Sequence, residues 1–371
     1  MFTRLLIADR GEAAVRVGRT CKRLGITTIA LRGERDADGS LHVDACDETR
    51  PFIRDPAALV ELAKEAEADA IHPGYGEQPH AELLRVAEQA GVPVISPPAA
   101  VLDACTDPTR MRSAAERVGV RFRPDEGLDR PRLLTMLLAA DAKDAIAPLG
   151  EMERVHAADG SLVLAEAPSP ALTIGHEGDA IREAMAEACR RLLGELGVRG
   201  LVSVDWLLDM EGHLWWAGVR AGLPSHHAPL ELITGVDPVE LQLRLVAGEP
   251  LDPELHHLQP TGHAFLTMVR AATTPTEPVE EMRWPPAPHG RLRVDPCVQT
   301  DAVPEGPLLL KIATVAPIRH VALLTLDRVL AATTVAPYGT NTNDLRQLLG
   351  DECFRAGQYD TSFVQRVVAA A

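Results

Sequence analysis

Residues 1–32, MFTRLLIADRGEAAVRVGRTCKRLGITTIALR, decide the fold. Leu5 to Ala8 is a short apolar run that predicts a first strand. Arg10-Gly11-Glu12 then opens a helical pattern through Ala13, Val15, Val17 and Cys21 to Leu24, and Gly25 stops it. Ile26 to Leu31 is apolar and rich in β-branched residues, the second strand of a βαβ unit. The alternation continues outward: a helix from about Pro56 to Ala66 leads into Ala70-Ile71-His72-Pro73-Gly74-Tyr75-Gly76, and a helix over 81–90 leads into a strand, Val92 to Ile95. Strands separated by helices in this way predict a parallel doubly wound sheet. After the first strand comes Ala8-Asp9-Arg10-Gly11-Glu12 rather than GxGxxG, which argues against a plain dinucleotide-binding domain.

Beyond residue 100 the pattern changes. A helix is expected from about Pro108 to Val118, and a leucine-rich helix around 132–140. Strands follow at Arg154–His156 and Leu162–Glu166, joined by the turn Ala158-Asp159-Gly160. Ile181 to Leu196 is an amphipathic helix. Leu201–Leu208 and Leu214–Val219, joined by Asp209-Met210-Glu211-Gly212, form an antiparallel pair. Pro238–Ala247 is another helix. The final hundred residues read as short strands around a last helix, 343–349, and Ala271–Pro288, rich in Thr, Pro and Glu, as a surface loop.

Composition bounds the function. A chain of 371 residues suggests two or three compact units. Its net charge of −16 argues against nucleic-acid partners, because phosphate neutralisation needs basic patches. No apolar stretch approaches the ~20 residues of a membrane span, and the first residues read as a strand rather than a signal peptide. The six cysteines (Cys21, Cys46, Cys105, Cys189, Cys297, Cys353) form no CxxC pair, so neither a zinc ribbon nor a disulfide framework is indicated. A cytoplasmic protein without nucleic-acid or membrane partners is expected. Only four of its 37 basic residues are lysines: Lys22, Lys64, Lys143 and Lys311.

Several segments are similar to those of the biotin carboxylases, the ATP-grasp components of acyl-CoA and pyruvate carboxylases. "IADRGEAAVR" and "TCKRLG" resemble the family's opening, and "AIHPGYG" at 70–76 is among its most specific signatures. "EAPSPAL" at 166–172, "ELITGVDPVELQLRLVAGEPL" at 231–251, "GHA" at 262–264, "GTN" at 339–341 and "FRAGQYDTSFV" at 354–364 follow in family order over nearly the whole chain. The resemblance implies an α/β architecture of three parts: a pre-ATP-grasp parallel α/β domain over 1–107, a truncated ATP-grasp α+β domain over 108–258 with a lid remnant near 121–165, and a β-rich C-terminal domain over 259–371.

The family's chemistry uses ATP, Mg²⁺ and biotin: bicarbonate is phosphorylated and its CO2 passes to biotin. Phosphoryl transfer of this kind is positioning and charge neutralisation by cations and by metals held on carboxylates. Position by position, the resemblance implies that most of these groups are lost. The phosphate-contacting lysine falls at Pro108, and the Gly-rich lid loop has no counterpart between Gly119 and Glu151. Lys143 is the lone lysine of that segment, in a polar, helix-like context, and the loop before Glu166 is deleted. The first metal glutamate falls at Asp205, the second at Gly218. The asparagine of that motif is Arg220 and its arginine Gly222; the bicarbonate-activating glutamate falls on His226. One carboxylate beside an arginine cannot clamp two Mg²⁺ ions. Tyr75 and Arg293, the latter at the arginine that steadies biotin, survive. No ATP, Mg²⁺ or biotin is therefore expected as a cofactor, no metal is expected, and Tyr75, Asp205, His226 and Arg293 are vestigial.

Each residue also has a plainer explanation. Asp205 fits a strand-end carboxylate, Arg293 a surface arginine, His72 and Tyr75 structural hydrogen bonds in a turn, and Trp206, Trp215 and Trp216 hairpin and core packing. His226-His227 beside Asp205 could suggest a new metal site, but neighbouring side chains on extended backbone point to opposite sides. His256-His257 reads as an exposed loop pair.

Three functions remain open. The first is a noncatalytic structural or regulatory subunit of an acyl-CoA carboxylase assembly, alongside an authentic biotin carboxylase, a biotin carrier and a carboxyltransferase. Pairing would use the N-terminal helix and the C-terminal domain; Arg16 and Arg19 match interface arginines of the family, and the family's acidic partner position is Arg23, favouring an acidic hetero-partner over self-pairing. The second is an active ATP-dependent biotin carboxylase or ligase with an altered site. The third is a small-molecule sensor retaining the pocket around Tyr75 and Arg293. No lysine follows a methionine in this sequence, so any biotin-bearing domain is expected on another polypeptide.

Overall fold

The structure is a computed structural model that describes all residues except 35, 37–39, 76–80, 175–176, 288–289 and 370–371, and the side chains of 368–369. The opening βαβ unit forms as expected. β1 (Arg4–Ile7) pairs in parallel with β2 (Thr27–Arg32) and with β4 (Ala70–His72), and β3 (Glu48–Pro51) extends the sheet beyond β2, giving the order β3-β2-β1-β4. The intervening helix, Gly11–Leu24, ends where Gly25 adopts φ 72° and caps the last carbonyls. The expected strand at 92–95 reduces to a single bridge, Ile71 with Val94. Pro93 has no N–H to offer the ladder, so pairing cannot extend.

Five strands from residues 132–221 and three from the C-terminal third make one antiparallel eight-stranded sheet. They are β5 (Arg132–Ala140), β6 (Ile146–His156), β7 (Leu162–Ala167), β8 (Gly200–Leu208), β9 (Leu214–Ala221), β10 (His263–Arg270), β12 (Arg291–Pro296) and β13 (Leu308–Ala316). Their order is β12-β13-β10-β7-β6-β5-β8-β9, so the sheet runs without a break across residue 258. A small pair, β11 (Glu281–Arg283) with β14 (Thr334–Ala336), stands apart.

Residues 132–140 form a strand, not a helix: Arg-Leu-Leu-Thr-Met-Leu-Leu-Ala-Ala lies between β6 and β8 with residues 134–140 buried. A central strand covered on both faces reads as a continuous apolar run, which leucine content disguises as a helix. Lys143, expected in helix, lies in the turn that joins β5 to β6, where the Asp141 carboxylate accepts from the backbone N–H groups of Lys143 and Ala145. The C-terminal third is also more regular than expected, with a nine-residue β13 and a 13-residue helix, Arg319–Ala331, packed on it. Val279, inside the expected surface loop, is fully buried, and the same segment supplies β11.

The two sheets enclose a cleft of about 1510 Å³. One wall carries the β1 turn (Ala8–Ala13) and Tyr75. The floor carries β6, β8, β9, β10 and β13, and the loop Cys297–Leu308 closes one side. Gly74 is required at the junction: its φ is +84°, and a Cβ there would lie 1.8 Å from an Asp9 carboxylate oxygen.

Candidate functional site

Strand register builds the floor. Thr135 on β5 stands opposite Asp205 on β8, which stands opposite Gly218 on β9; Ser203 stands opposite Arg220. The ladder shifts register between Asp205 and Trp206, a bulge of the kind that re-aims side chains. With period-two alternation, Ser203 and Asp205 share one face, and on β6 so do Arg154 and His156.

Both oxygens of Asp205 are engaged. Oδ1 lies 2.7 Å from Nη2 of Arg154 and accepts a 2.7 Å hydrogen bond from the Thr135 hydroxyl; Oδ2 lies 2.7 Å from Nη2 of Arg220. Arg154 is buried, 5% exposed, whereas the Arg220 side chain is 49% exposed at the cleft. Burial, partly offset by Asp205, lowers Arg154 to about 10. Arg154 remains charged at neutral pH. Burial and then Arg154 lower His156 to about 4, and burial with Arg154 and Arg220 pushes His226 well below the ordinary histidine range. Both imidazoles are therefore neutral. Ser203 Oγ, Arg154 Nε and His226 Nε2 are buried with no hydrogen-bond partner among the described residues. A buried polar atom left so costs about 1–3 kcal/mol, which marks this patch as specialised.

Mg²⁺ does not fit this arrangement. Both oxygens of this carboxylate already face a guanidinium, and the two adjacent positive charges repel a metal ion. Gly218 offers no ligand, and Arg220 is itself a cation. Pro108 is the first residue of the helix Pro108–Arg117, following the Asp107 cap, and brings no amine.

Sequence reasoning missed three members of the cleft. Lys311 on β13 places Nζ 2.5 Å from Glu12 Oε2, 3.2 Å from the Ser225 carbonyl and 4.2 Å from the Tyr75 ring centre. The Tyr75 hydroxyl donates to the other oxygen of Glu12, and burial followed by that carboxylate raises the phenol well above its usual value. Glu12 lay inside the quoted "DRGEA" run, but nothing in the spacing linked it to a lysine 299 residues away. Arg154 sat in a strand with no motif to mark it.

Arg293 is not a surface arginine. It pairs with Glu231 at 2.9 Å and Asp295 at 2.5 Å. Burial opposes its charge, but Asp295 and Glu231 outweigh that and hold it above its ordinary value. The backbone at 226–227 is a turn leading into a helix rather than the expected extended run, yet the two histidines still face different groups: His226 lies toward the two arginines, while His227 accepts from Arg16 and lies 3.3 Å from Glu231. Trp206 and Trp216 are core, and the Trp215 indole N–H donates to Asp209. His256 and His257 are exposed.

The three arginines expected at an interface have partners within the chain. Arg16 is 3% exposed and pairs with Glu231 and Asp237. Arg23 pairs with Asp237 at 2.6 Å and Glu240 at 2.7 Å, so its charge does not stand uncompensated. Arg19 is exposed, 3.5 Å from Asp295. Away from the cleft, Asp209, Glu211 and His213 converge at a hairpin turn, where Asp209 already accepts from the backbone N–H groups of Glu211 and His213.

Residues 1–102 match the family model for the biotin carboxylase N-terminal domain, and residues 111–254 that for the ATP-binding domain of the carbamoyl-phosphate synthase L chain. A biotin carboxylase of Halalkalibacterium halodurans is 27% identical, with 98% of this chain matched to 97% of that one. The 454-position alignment is longer than the 371 residues here, so the relative carries segments this chain lacks. The alpha subunit of Arabidopsis thaliana methylcrotonoyl-CoA carboxylase is 25% identical, and this chain spans 60% of its length. Among solved structures, the biotin carboxylase domain dimer of Hydrogenobacter thermophilus 2-oxoglutarate carboxylase, in complex with MgADP, ADP and bicarbonate, superposes with a TM-score of 0.89 at 22% identity, covering 99% of this chain and 98% of that one. A multifunctional pyruvate carboxylase from Rhizobium etli superposes at 0.89 and 24% identity, covering 98% of this chain and 36% of that one. No described helix is long and apolar enough to cross a membrane.

Proposed function

The chain belongs to the biotin carboxylase family and is related to acyl-CoA carboxylase subunits, and from that premise we propose that it is a noncatalytic subunit that organises or regulates a carboxylase assembly. The observation that carries the reading is the occupation of Asp205 by Arg154 and Arg220. At the position where the family's resemblance implies a metal ligand, the carboxylate is the counter-ion of two arginines. Supporting it are Pro108 and Gly218, which bring neither amine nor carboxylate, and the absence from this chain of segments the longer relatives carry. Catalysis by a cooperating set collapses when several members are removed together.

The partners this reading calls for are an authentic biotin carboxylase, a biotin carrier and a carboxyltransferase. The Hydrogenobacter domain is a dimer, and the exposed Arg19 on the first helix is available for a comparable contact. Arg23 no longer argues for a hetero-partner, since Asp237 and Glu240 already take its charge.

The test is bicarbonate- and biotin-dependent ADP formation by the purified chain, followed by light-scattering chromatography with an authentic biotin carboxylase subunit. The expected results are no ADP above background and co-elution with the partner. Turnover comparable with a working biotin carboxylase would overturn the noncatalytic reading. A lone monomer that ignores carboxylase subunits would overturn the assembly role.

A further inference from the structure

The six cysteines show no paired spacing in the sequence, but the fold brings two of them to one place. Cys21 lies near the end of the first helix, Gly11–Leu24, and Cys46 directly follows a short helix, Leu41–Ala45. A Cβ on Gly18 would lie 3.5 Å from Cys46 Sγ, so that sulfur sits against the first helix. Cys21 is three residues further on, and side chains at that spacing are neighbours on a helix face. The two thiols are electrostatic neighbours. Both pack in the apolar cluster that holds Ala14 and Val17, Cys21 fully buried and Cys46 at the partly exposed margin. Among the described residues, the buried Cys105 and Cys189 have no thiol as an electrostatic neighbour.

The absence of a side chain at Gly18 makes the approach possible. A Cβ there would also lie 3.2 Å from the Ala45 carbonyl oxygen, so the backbone that leads into Cys46 runs close against the first helix. Burial raises both thiols, Cys21 to about 12 and Cys46 to about 11. Both are protonated at neutral pH, and the pair is slow toward mild oxidants. Cys46 is the more accessible of the two and the one that a small oxidant reaches first.

We propose that Cys21 and Cys46 form a reversible redox site that ties the first helix to one wall of the cleft. The oxidant is a peroxide. It transfers one oxygen to the Cys46 sulfur, giving a sulfenic acid, while its O–O bond breaks and water leaves. The Cys21 sulfur then attacks the Cys46 sulfur: the S–S bond forms, the S–O bond breaks, and the hydroxyl departs as a second water with the Cys21 proton. Two thiols lose two electrons to one peroxide, and a dithiol reductant restores them by exchange. The second step is intramolecular, which favours it over attack by a thiol from solution. Ser40, Leu41 and His42 line the cleft just ahead of Cys46. A bond at Cys46 therefore fixes that wall to the helix, and the redox state of the pair sets how freely the wall moves. Nothing in this depends on whether the chain turns over ATP.

The test is incubation of the reduced full chain with hydrogen peroxide, followed by denaturation, maleimide labelling and intact-mass spectrometry. Four adducts rather than six are expected after oxidation, with peptide mapping placing the link between residues 21 and 46. Dithiothreitol should restore all six. Cys46→Ala should abolish the link, and Cys353→Ser should leave it intact. Cys46 is partly exposed, and circular dichroism melts establish that its variant folds. Oxidation should raise the Tm of the parent by about 3 °C or more and slow hydrogen exchange over residues 40–46, with neither change in Cys46→Ala. The proposal is overturned if all six thiols stay open to maleimide, if the link joins other cysteines, if it survives Cys46→Ala, or if it forms without slowing exchange over 40–46.

Discussion

Replacing Asp205 with asparagine keeps the shape of the side chain and removes its charge. Arg154 and Arg220 then face each other without the anion between them, and the amide NH2 group of the new residue must point at one of the two guanidiniums. The cost falls unevenly. Arg220 is 49% exposed and finds water, so its share is that of a surface pair, at most about 1 kcal/mol. Arg154 is 5% exposed, and removing the partner of a buried charge costs about 3–5 kcal/mol. A total loss near 4 kcal/mol is expected. Trp206 follows Asp205 on β8, and Trp215 and Trp216 lie on the paired β9, so tryptophan emission during urea unfolding reports mainly this hairpin. The double variant Asp205→Asn/Arg154→Met leaves no buried lone charge and should recover at least about half of the loss. If Asp205→Asn unfolds within about 0.5 kcal/mol of the parent, a difference typical of neutral surface changes, the arginine clamp is not what holds this carboxylate.

Two further outcomes follow from neighbouring groups. Lys311→Met strands Glu12 in a buried position beside the Tyr75 hydroxyl, and equilibrium unfolding should show a loss of about 3 kcal/mol; a neutral effect would show that the Lys311–Glu12 pair does not stabilise the fold. His156 titrates near 4 in the folded chain against about 6.5 unfolded. Its neutral form therefore adds stability above pH 6.5, and that contribution is lost as pH falls from about 6.5 to 4. His156→Asn should make the acid limb of the melting profile shallower, and an unchanged slope would show that this imidazole gains a proton as readily in the fold as outside it.

The N-terminal fold was legible because its signals are local. The apolar runs of β1 and β2 and Gly25 at the helix end sit within 32 residues, and the turn at Gly74 is forced by backbone geometry. Strand β5 was not legible, because leucines buried on both faces of a sheet have the same composition as those of a buried helix. The helix Arg319–Ala331 did carry a signal, with Ala322, Leu326, Val329 and Leu330 at helical spacing, but it was overlooked among the short strands expected there. Of the site, sequence reasoning singled out Asp205, Gly218, Arg220 and His226, which the fold gathers near Arg154. It could not see Arg154 arriving from β6, or Lys311 from β13, because pairings across 51 and 299 residues are products of sheet order rather than spacing. It also misjudged Arg16 and Arg23, whose acidic partners in the region 231–240 are reached only when the first helix packs against the helix Pro238–Val246.

The oxygens of Asp205 belong to arginines and not to a metal ion. The most direct measurement is the affinity of the intact chain for ADP with and without Mg²⁺, read by calorimetry beside the Asp205→Asn variant. The account predicts that magnesium brings no tightening in either protein. Tightening of about tenfold or more by magnesium, abolished by the asparagine, would contradict it.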